Sequence, residues 1–176
     1  MTKTRVSLLS LAFCFLMLAS CKMDDSTSTI QAWKLKNDTY FSAMKDSTSW
    51  QAYNIPASRG GSSFYYKILT QGNPSSVSPV YTDMVTLQYR GKLIDGTVFD
   101  QSFSGALPST DGSGTPDSFL LYQLVNGWIE NLIQMKVGET RAVVLPQELG
   151  YGSAGASPSI LPYSTTVWII QLIKVN

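Results

Sequence analysis

Tyr89, Phe99, Trp128, Tyr151 and Trp168, with the carboxylate of Asp100 directly after Phe99, are the residues of this chain whose types and placement could do chemistry. Aromatic faces hold an apolar ring, a tyrosine hydroxyl donates to a carbonyl, and a carboxylate polarises what lies beside it. None of these makes or breaks a covalent bond. The same aromatics bury much area and are ordinary core material, so from pattern alone a plain core and a ligand pocket both stand. The chain contains no histidine, which removes Ser-His-Asp and Cys-His nucleophiles, histidine-ligated metals and histidine proton shuttles together. Asp95 and Asp100 invite a reading as a carboxylate pair for glycoside chemistry, but Asp95 is accounted for by the Asp95-Gly96 turn. With no glycine-rich phosphate loop in the sequence either, no metal and no cofactor is expected.

Periodicity outlines the elements that would carry these residues. Val85, Leu87, Tyr89 and Leu93 alternate with Thr86, Gln88, Arg90 and Lys92, the period-two pattern of a half-buried strand. Asp95-Gly96 reverses it, so Thr97-Val98-Phe99 returns as a hairpin arm and Phe99-Asp100 leaves that arm toward the interior. Residues 104–118 collect Gly, Ser, Thr, Pro and Asp and read as a long surface loop. Asn126 is placed to cap a helix over residues 127–134, with Trp128, Ile129, Leu132 and Ile133 on one side. Residues 64–69, 140–145 and 165–175 have strand composition, and the last is apolar on both faces near Val167 to Ile170, as a central strand would be. Antiparallel strands against one short helix make an α+β domain.

The N-terminus is a different material. Lys3 and Arg5 precede an apolar run over residues 6–19, too short to span a bilayer as a stable helix, which marks residues 1–20 as a secretory signal. The run ends in Leu18-Ala19-Ser20-Cys21, which resembles the lipobox of bacterial lipoproteins, where cleavage leaves the cysteine as an acylated N-terminus. Lipidation of Cys21 and membrane attachment through that lipid follow as the expectation. The alternative is an ordinary cleavable signal with Cys21 incidental. Cys14 lies within the signal, so the exported domain keeps no thiol for a disulfide, redox couple or metal.

Lys22-Met23-Asp24-Asp25 reads either as a signal sending the lipoprotein to the outer face of the outer membrane or as the start of a solvated tether. The chain has 13 basic and 12 acidic residues, and loss of Lys3 and Arg5 leaves it near neutral, with no nucleic-acid surface indicated. Residues 21–63 read as a lipidated tether with a short helix over 29–45 and a linker at 59–63, and residues 64–176 as the folded domain.

Residues 64–176 resemble an FKBP-type peptidyl-prolyl isomerase domain. The resemblance is carried, in the family's order, by Val85-Thr86-Leu87-Gln88-Tyr89-Arg90-Gly91, Asp95-Gly96-Thr97-Val98-Phe99-Asp100, Leu124-Val125-Asn126-Gly127-Trp128, Met135-Lys136-Val137-Gly138-Glu139 and Leu149-Gly150-Tyr151-Gly152. It implies an antiparallel sheet wrapped around one short helix, and an activity that turns X-Pro bonds between cis and trans during folding of exported proteins. By resemblance, a substrate proline sits on Trp128, walled by Tyr89, Phe99 and Trp168 with contributions from Leu124, Val125 and Ile160. Tyr151 and the Val125 N–H bond substrate carbonyls, and Asp100 lies beside the twisting amide. Proline-containing polypeptides are the implied partners and macrolides the implied inhibitors. The implied location is a lipid anchor outside the cytoplasm at the outer membrane, on its periplasmic or cell-surface side.

The sequence also departs from the family. The arginine that often follows the Phe-Asp pair is missing from Gln101-Ser102-Phe103-Ser104-Gly105, leaving Asp100 to the Tyr89 hydroxyl. Ala156 replaces a histidine found in some members, and Leu161-Pro162 stands for a Pro-Pro pair. The pocket-edge phenylalanine has Phe119 as its nearest candidate. A catalytically weak peptide-binding module or chaperone on the same anchor is the alternative function.

Overall fold

The computed structural model describes residues 25–109 and 114–176. The expected signal, Cys21 and Lys22 to Asp24 lie outside the described residues.

The alternating stretch around Tyr89 forms β3 (Met84–Leu93), the hub of the sheet. β7 (Thr166–Val175) pairs along one edge of it, from Val85 opposite Val175 to Leu93 opposite Thr166. Two strands share the other edge end to end: β4 (Val98–Gln101) takes the half around Gly91, and β5 (Asp117–Leu120) the half around Val85. Beyond β7 come β6 (Thr140–Leu145), β2 (Ser63–Thr70) and β1 (Gln51–Asn54). The described residues thus form a seven-stranded antiparallel sheet of order β1-β2-β6-β7-β3-β4 with β5 also on β3. β7 is interior to it, as its two-sided apolar run requires. The Asp95-Gly96 turn forms as expected, with Gly96 at φ 91 and the Thr97 N–H bonded to Asp95 Oδ1 at 2.9 Å.

α2 (Asn126–Leu132) packs across one face, its Trp128, Ile129 and Leu132 joining Val85, Leu87 and Tyr89 of β3 and Trp168, Ile170 and Leu172 of β7 in one core. The fold is α+β. The helix begins one residue earlier than expected: Val125 holds the cap position, its carbonyl accepting from the N–H groups of Trp128 and Ile129, and no side chain caps it. Gly127 explains how close the helix comes, because a Cβ there would stand 2.6 Å from Leu145 Cδ2 and 2.9 Å from the Leu149 carbonyl oxygen.

The polar side of β3 is covered rather than solvated. Gln88 and Arg90 are 3% and 8% exposed, because the segment after β4, expected as a surface loop, folds back over them. Phe103 is buried and bridges to Gly114, and the Arg90 guanidinium lies 4.4 Å from the Phe103 ring centroid while donating to the Phe103 and Gly105 carbonyls. Of the Arg90 donors, Nη2 reaches the two loop carbonyls and Nε the Gln101 side-chain oxygen, where water would otherwise be needed.

The sheet also starts upstream of residue 64. Of residues 59–63, expected as a linker, 59–62 lie in the connection between β1 and β2, where Gly60 and Gly61 adopt φ 115 and 67, and Ser63 begins β2 opposite Asn54. Glycines of this kind serve hairpin turns and linkers alike. α1 (Asp25–Ala43), somewhat displaced from the expected 29–45, is docked against the opposite face of the sheet, with Phe41 5.1 Å from the ring of Tyr65. Its anchor is Asn37, fully buried: Oδ1 accepts from the Thr165 N–H at 2.8 Å and Nδ2 donates to the Trp33 carbonyl. Asn37→Ala leaves that N–H unsatisfied and is expected to lower unfolding free energy by about 1–3 kcal/mol. Urea titration should read this against Thr39→Ala, whose exposed hydroxyl bonds only Leu35 in the same helix and whose effect stays within about 0.5 kcal/mol.

Candidate functional site

Cross-strand partners share a face of a sheet, and this brings the candidate residues together. On β3, Leu87, Tyr89 and Gly91 face α2; opposite them stand Asp117 of β5 beside Leu87, Ile170 beside Tyr89, and both Asp100 and Trp168 beside Gly91. A cleft of about 270 Å³ opens between this face and the start of α2. Of the residues expected there, Tyr89, Asp100, Leu124, Val125, Trp128, Tyr151 and Trp168 line it, and Phe119 and Gln123 complete the wall.

The rings meet edge to face. Trp128 and Trp168 have centroids 4.8 Å apart at 87°, and Tyr89 stands 5.3 Å from Trp128 at 74°. Phe99 is not in the wall; it backs Trp168 at 5.0 Å and Tyr151 at 6.4 Å. Ile160 is also set back, buried where it exchanges two 2.8 Å backbone hydrogen bonds with Ala156. Gly91 makes the ring packing possible, since a Cβ on it would lie 2.5 Å from both Phe99 Cζ and Trp168 Cζ3.

The polar groups divide by whether they are satisfied. Trp168 Nε1 donates to Thr166 Oγ1 at 2.8 Å. Trp128 Nε1 is buried and has no acceptor among the described residues. Burial, then the charge of Asp100, holds the Tyr151 hydroxyl above the usual tyrosine range, so it stays a donor. Tyr89 is pushed higher still, by burial first, then by the charges of Asp100 and Asp117 and by hydrogen bonding to both carboxylates. Asp100 is therefore joined by a second acid, Asp117, in raising Tyr89. Sequence reasoning missed Asp117 because it lay inside residues 104–118, read as a surface loop, whereas Asp117 and Ser118 begin β5. The one signal for it was alternation, Asp117 and Phe119 against Ser118 and Leu120, over a strand of four residues.

Arg90 offers these acids no compensation, since it points to the opposite face and donates to Gln101 Oε1. No cluster of potential metal ligands occurs among the described residues. A larger hollow of about 550 Å³ lies beyond α2, bordered by Ile55, Tyr81, Ile133 and Glu130, but Glu130 is already paired there with Arg59 at 3.1 Å. Arg59, Asn126 and Glu130 line that hollow, whereas the aromatic cleft gathers the tyrosine, tryptophan and Asp100 side chains singled out by the sequence.

Comparison with known proteins bears on the same region. The family described as FKBP-type peptidyl-prolyl cis-trans isomerase matches residues 75–173. The chain is 40% identical over 114 residues to the FKBP-type 22 kDa peptidyl-prolyl cis-trans isomerase of Escherichia coli (strain K12), covering 65% of this chain and 50% of that protein. It is 36% identical over 143 residues to the outer membrane protein MIP of Legionella longbeachae, covering 81% and 54%. The crystal structure of FkpA from Escherichia coli superposes with a TM-score of 0.67 at 30% identity, over 85% of this chain and 62% of that one. The chain spans about half the length of these curated relatives.

Gly91→Ala tests the ring packing directly. The methyl group has to displace Phe99 or Trp168, so near-ultraviolet circular dichroism should lose aromatic signal while stability falls by about 1–3 kcal/mol.

Proposed function

Because the chain belongs to the family of FKBP-type peptidyl-prolyl cis-trans isomerases, we propose that it binds X-Pro peptide bonds in the aromatic cleft and accelerates their rotation between cis and trans. The observation that carries this reading is the meeting of Trp128, Trp168 and Tyr89 edge to face beside the Tyr151 hydroxyl and the Asp100 carboxylate. The obstacle to rotation is amide resonance, a barrier of ~18–20 kcal/mol. Resonance favours a planar, charge-separated amide, and a cleft with apolar walls solvates that charge poorly. Hydrogen bonds stronger to the twisted amide than to the planar one then lower the barrier, about tenfold in rate per ~1.4 kcal/mol.

In this reading Trp128 is the floor under the proline ring, and Tyr89 and Trp168 are its walls with Leu124 at the edge. Phe99 and Ile160 act from behind, holding Trp168, Tyr151 and the segment after Tyr151. The Tyr151 hydroxyl and the Val125 N–H bond substrate carbonyls, while Asp100 lies beside the rotating amide. No proton is transferred, which suits a chain without histidine. The proposed substrates are proline-containing segments of exported proteins, whose folding slow isomerisation would otherwise limit. A macrolide that carries a proline-like ring would compete for the same floor.

The proposed location is outside the cytoplasm, on a lipid at Cys21 in the outer membrane. Supporting this are the sequence before Cys21 and a relative named as an outer membrane protein. Among the described residues no helix is long and apolar enough to cross a membrane.

A protease-coupled assay with a proline peptide is the test. Tyr151→Phe is expected to lower kcat/KM about tenfold, the loss of roughly one hydrogen bond to the transition state, with an unchanged circular dichroism spectrum. Asp100→Ala and Trp128→Leu should lower it as well, and full activity in all three variants would remove the assignment. Cys21→Ser is expected to abolish incorporation of labelled palmitate by the expressed protein; unchanged labelling would place the lipid elsewhere.

A further inference from the structure

Asp117, beside the cleft and two residues before its lining residue Phe119, adds a feature that the proposed rotation does not use. β5 pairs with β3 so that Asp117 stands opposite Leu87 and Phe119 opposite Val85, on the same face as Tyr89. On the same edge of β3, farther along, β4 sets Asp100 opposite Gly91. The two carboxylates thus flank the Tyr89 hydroxyl from either side, and Asp117 is half-buried rather than free in solvent. A diagonal cross-strand neighbour lies within reach of a long side chain, which is the relation between Asp117 and Tyr89.

Among the described residues no ion pair involves either carboxylate. The described ion pairs join Lys34 to Asp38, Arg59 to Glu130 and Arg141 to Glu139, and no lysine or arginine lines the cleft. Arg90, the nearest cation in sequence to Tyr89, is spent on the far side of the sheet against Phe103 and loop carbonyls. Trp128, which lines the cleft, has a buried Nε1 without an acceptor among the described residues. One tyrosine hydroxyl cannot neutralise two carboxylates, so a cationic group arriving with the ligand is the partner this edge lacks.

We propose that the cleft selects proline peptides that carry a lysine or arginine next to the proline, with Asp117 as the specificity-determining residue acting together with Asp100. The inference rests on the isomerase reading for the identity of the ligand. The proline ring still sits on Trp128, and the neighbouring cation meets the acidic edge at Tyr89. A glutamate in the same place meets like charge and is disfavoured.

The test uses two peptide series that differ only in lysine, norleucine or glutamate, placed before the proline in one and after it in the other. Each peptide is measured for turnover and for binding through the fluorescence of Trp128 and Trp168. In one series, lysine is expected to exceed norleucine by about fivefold or more in both kcat/KM and affinity, and glutamate to fall below it, as Coulomb attraction at partly solvated distances allows. Raising salt from about 0.02 M to about 0.5 M should shrink the lysine advantage several-fold. Asp117→Asn should narrow the ratio of lysine to norleucine, whatever it does to each rate. Equal binding of lysine and norleucine peptides in both series, or a ratio untouched by both salt and Asp117→Asn, overturns the inference. Absence of turnover with every peptide, alongside tighter binding of the lysine peptides, overturns the isomerase reading and supports the charge selection.

Discussion

The contact between Trp128 and Trp168 is the constraint on which the site depends. The two indoles come from opposite layers, one from the first turn of α2 and one from the central strand β7, and they meet at 4.8 Å and 87°. Large aromatic rings make an approach this close only where smaller residues clear the way. Gly127 lets α2 settle onto Leu145, and Gly91 opens space on β3 for Trp168 and Phe99 to meet over its backbone. Neither glycine has a positive φ; both are needed for their missing side chain. The cleft is the gap left when two rings are pressed together by backbones that can come near each other.

Covering the outer face of β3 serves the same geometry. Asp100 and Asp117 hang from short strands, β4 and β5, that pair with β3 over only a few positions each. Such short pairings hold register weakly by themselves. The segment between the strands supplies the rest: Ser102 bonds the Tyr89 backbone in both directions, with its backbone N–H to the Tyr89 carbonyl and its hydroxyl to the Tyr89 N–H. Phe103 and Arg90 then clamp the far side. A buried arginine held by the Gln101 amide and the Phe103 and Gly105 carbonyls is costly to disturb, so the acidic edge is fixed from behind by a cation that never meets it.

The sequence was legible wherever one period ran long enough. β3 and β7 stand where alternation and the apolar run put them, and the Asp95-Gly96 turn joins β3 to β4 because its chemistry admits few other uses. The aromatic set could not be divided between core and cleft from pattern, because Phe99 and Tyr89 differ only in whether they face the gap or back the residue that does. β5 escaped because four residues are too few for a period. The β1–β2 hairpin escaped because glycines that turn a chain look like glycines that loosen it. Asn37 was invisible for another reason: a buried amide is defined by its partners, and Thr165 stands far from it in sequence.

Rotation about an amide needs no proton acceptor, which changes what carboxylates do in such a cleft. In an acid–base enzyme the pKa of each acid is tied to the rate, and a second acid nearby would disturb it. Here the proposed chemistry runs on ring contacts, a tyrosine donor and the exclusion of water. A carboxylate then acts through its field on whatever charge the peptide brings, and adds to burial in holding Tyr89 and Tyr151 toward the protonated donor form. Rate and selectivity can accordingly reside on different strands. In the proposed reading the tryptophan floor and the Tyr151 hydroxyl respond to the amide, common to every X-Pro bond, whereas β5 presents Asp117 to a neighbouring side chain. On the same reading, exchanging Asp117 alone changes which prolines are preferred, while Phe119 of the same strand stays packed against Tyr89 and Trp128.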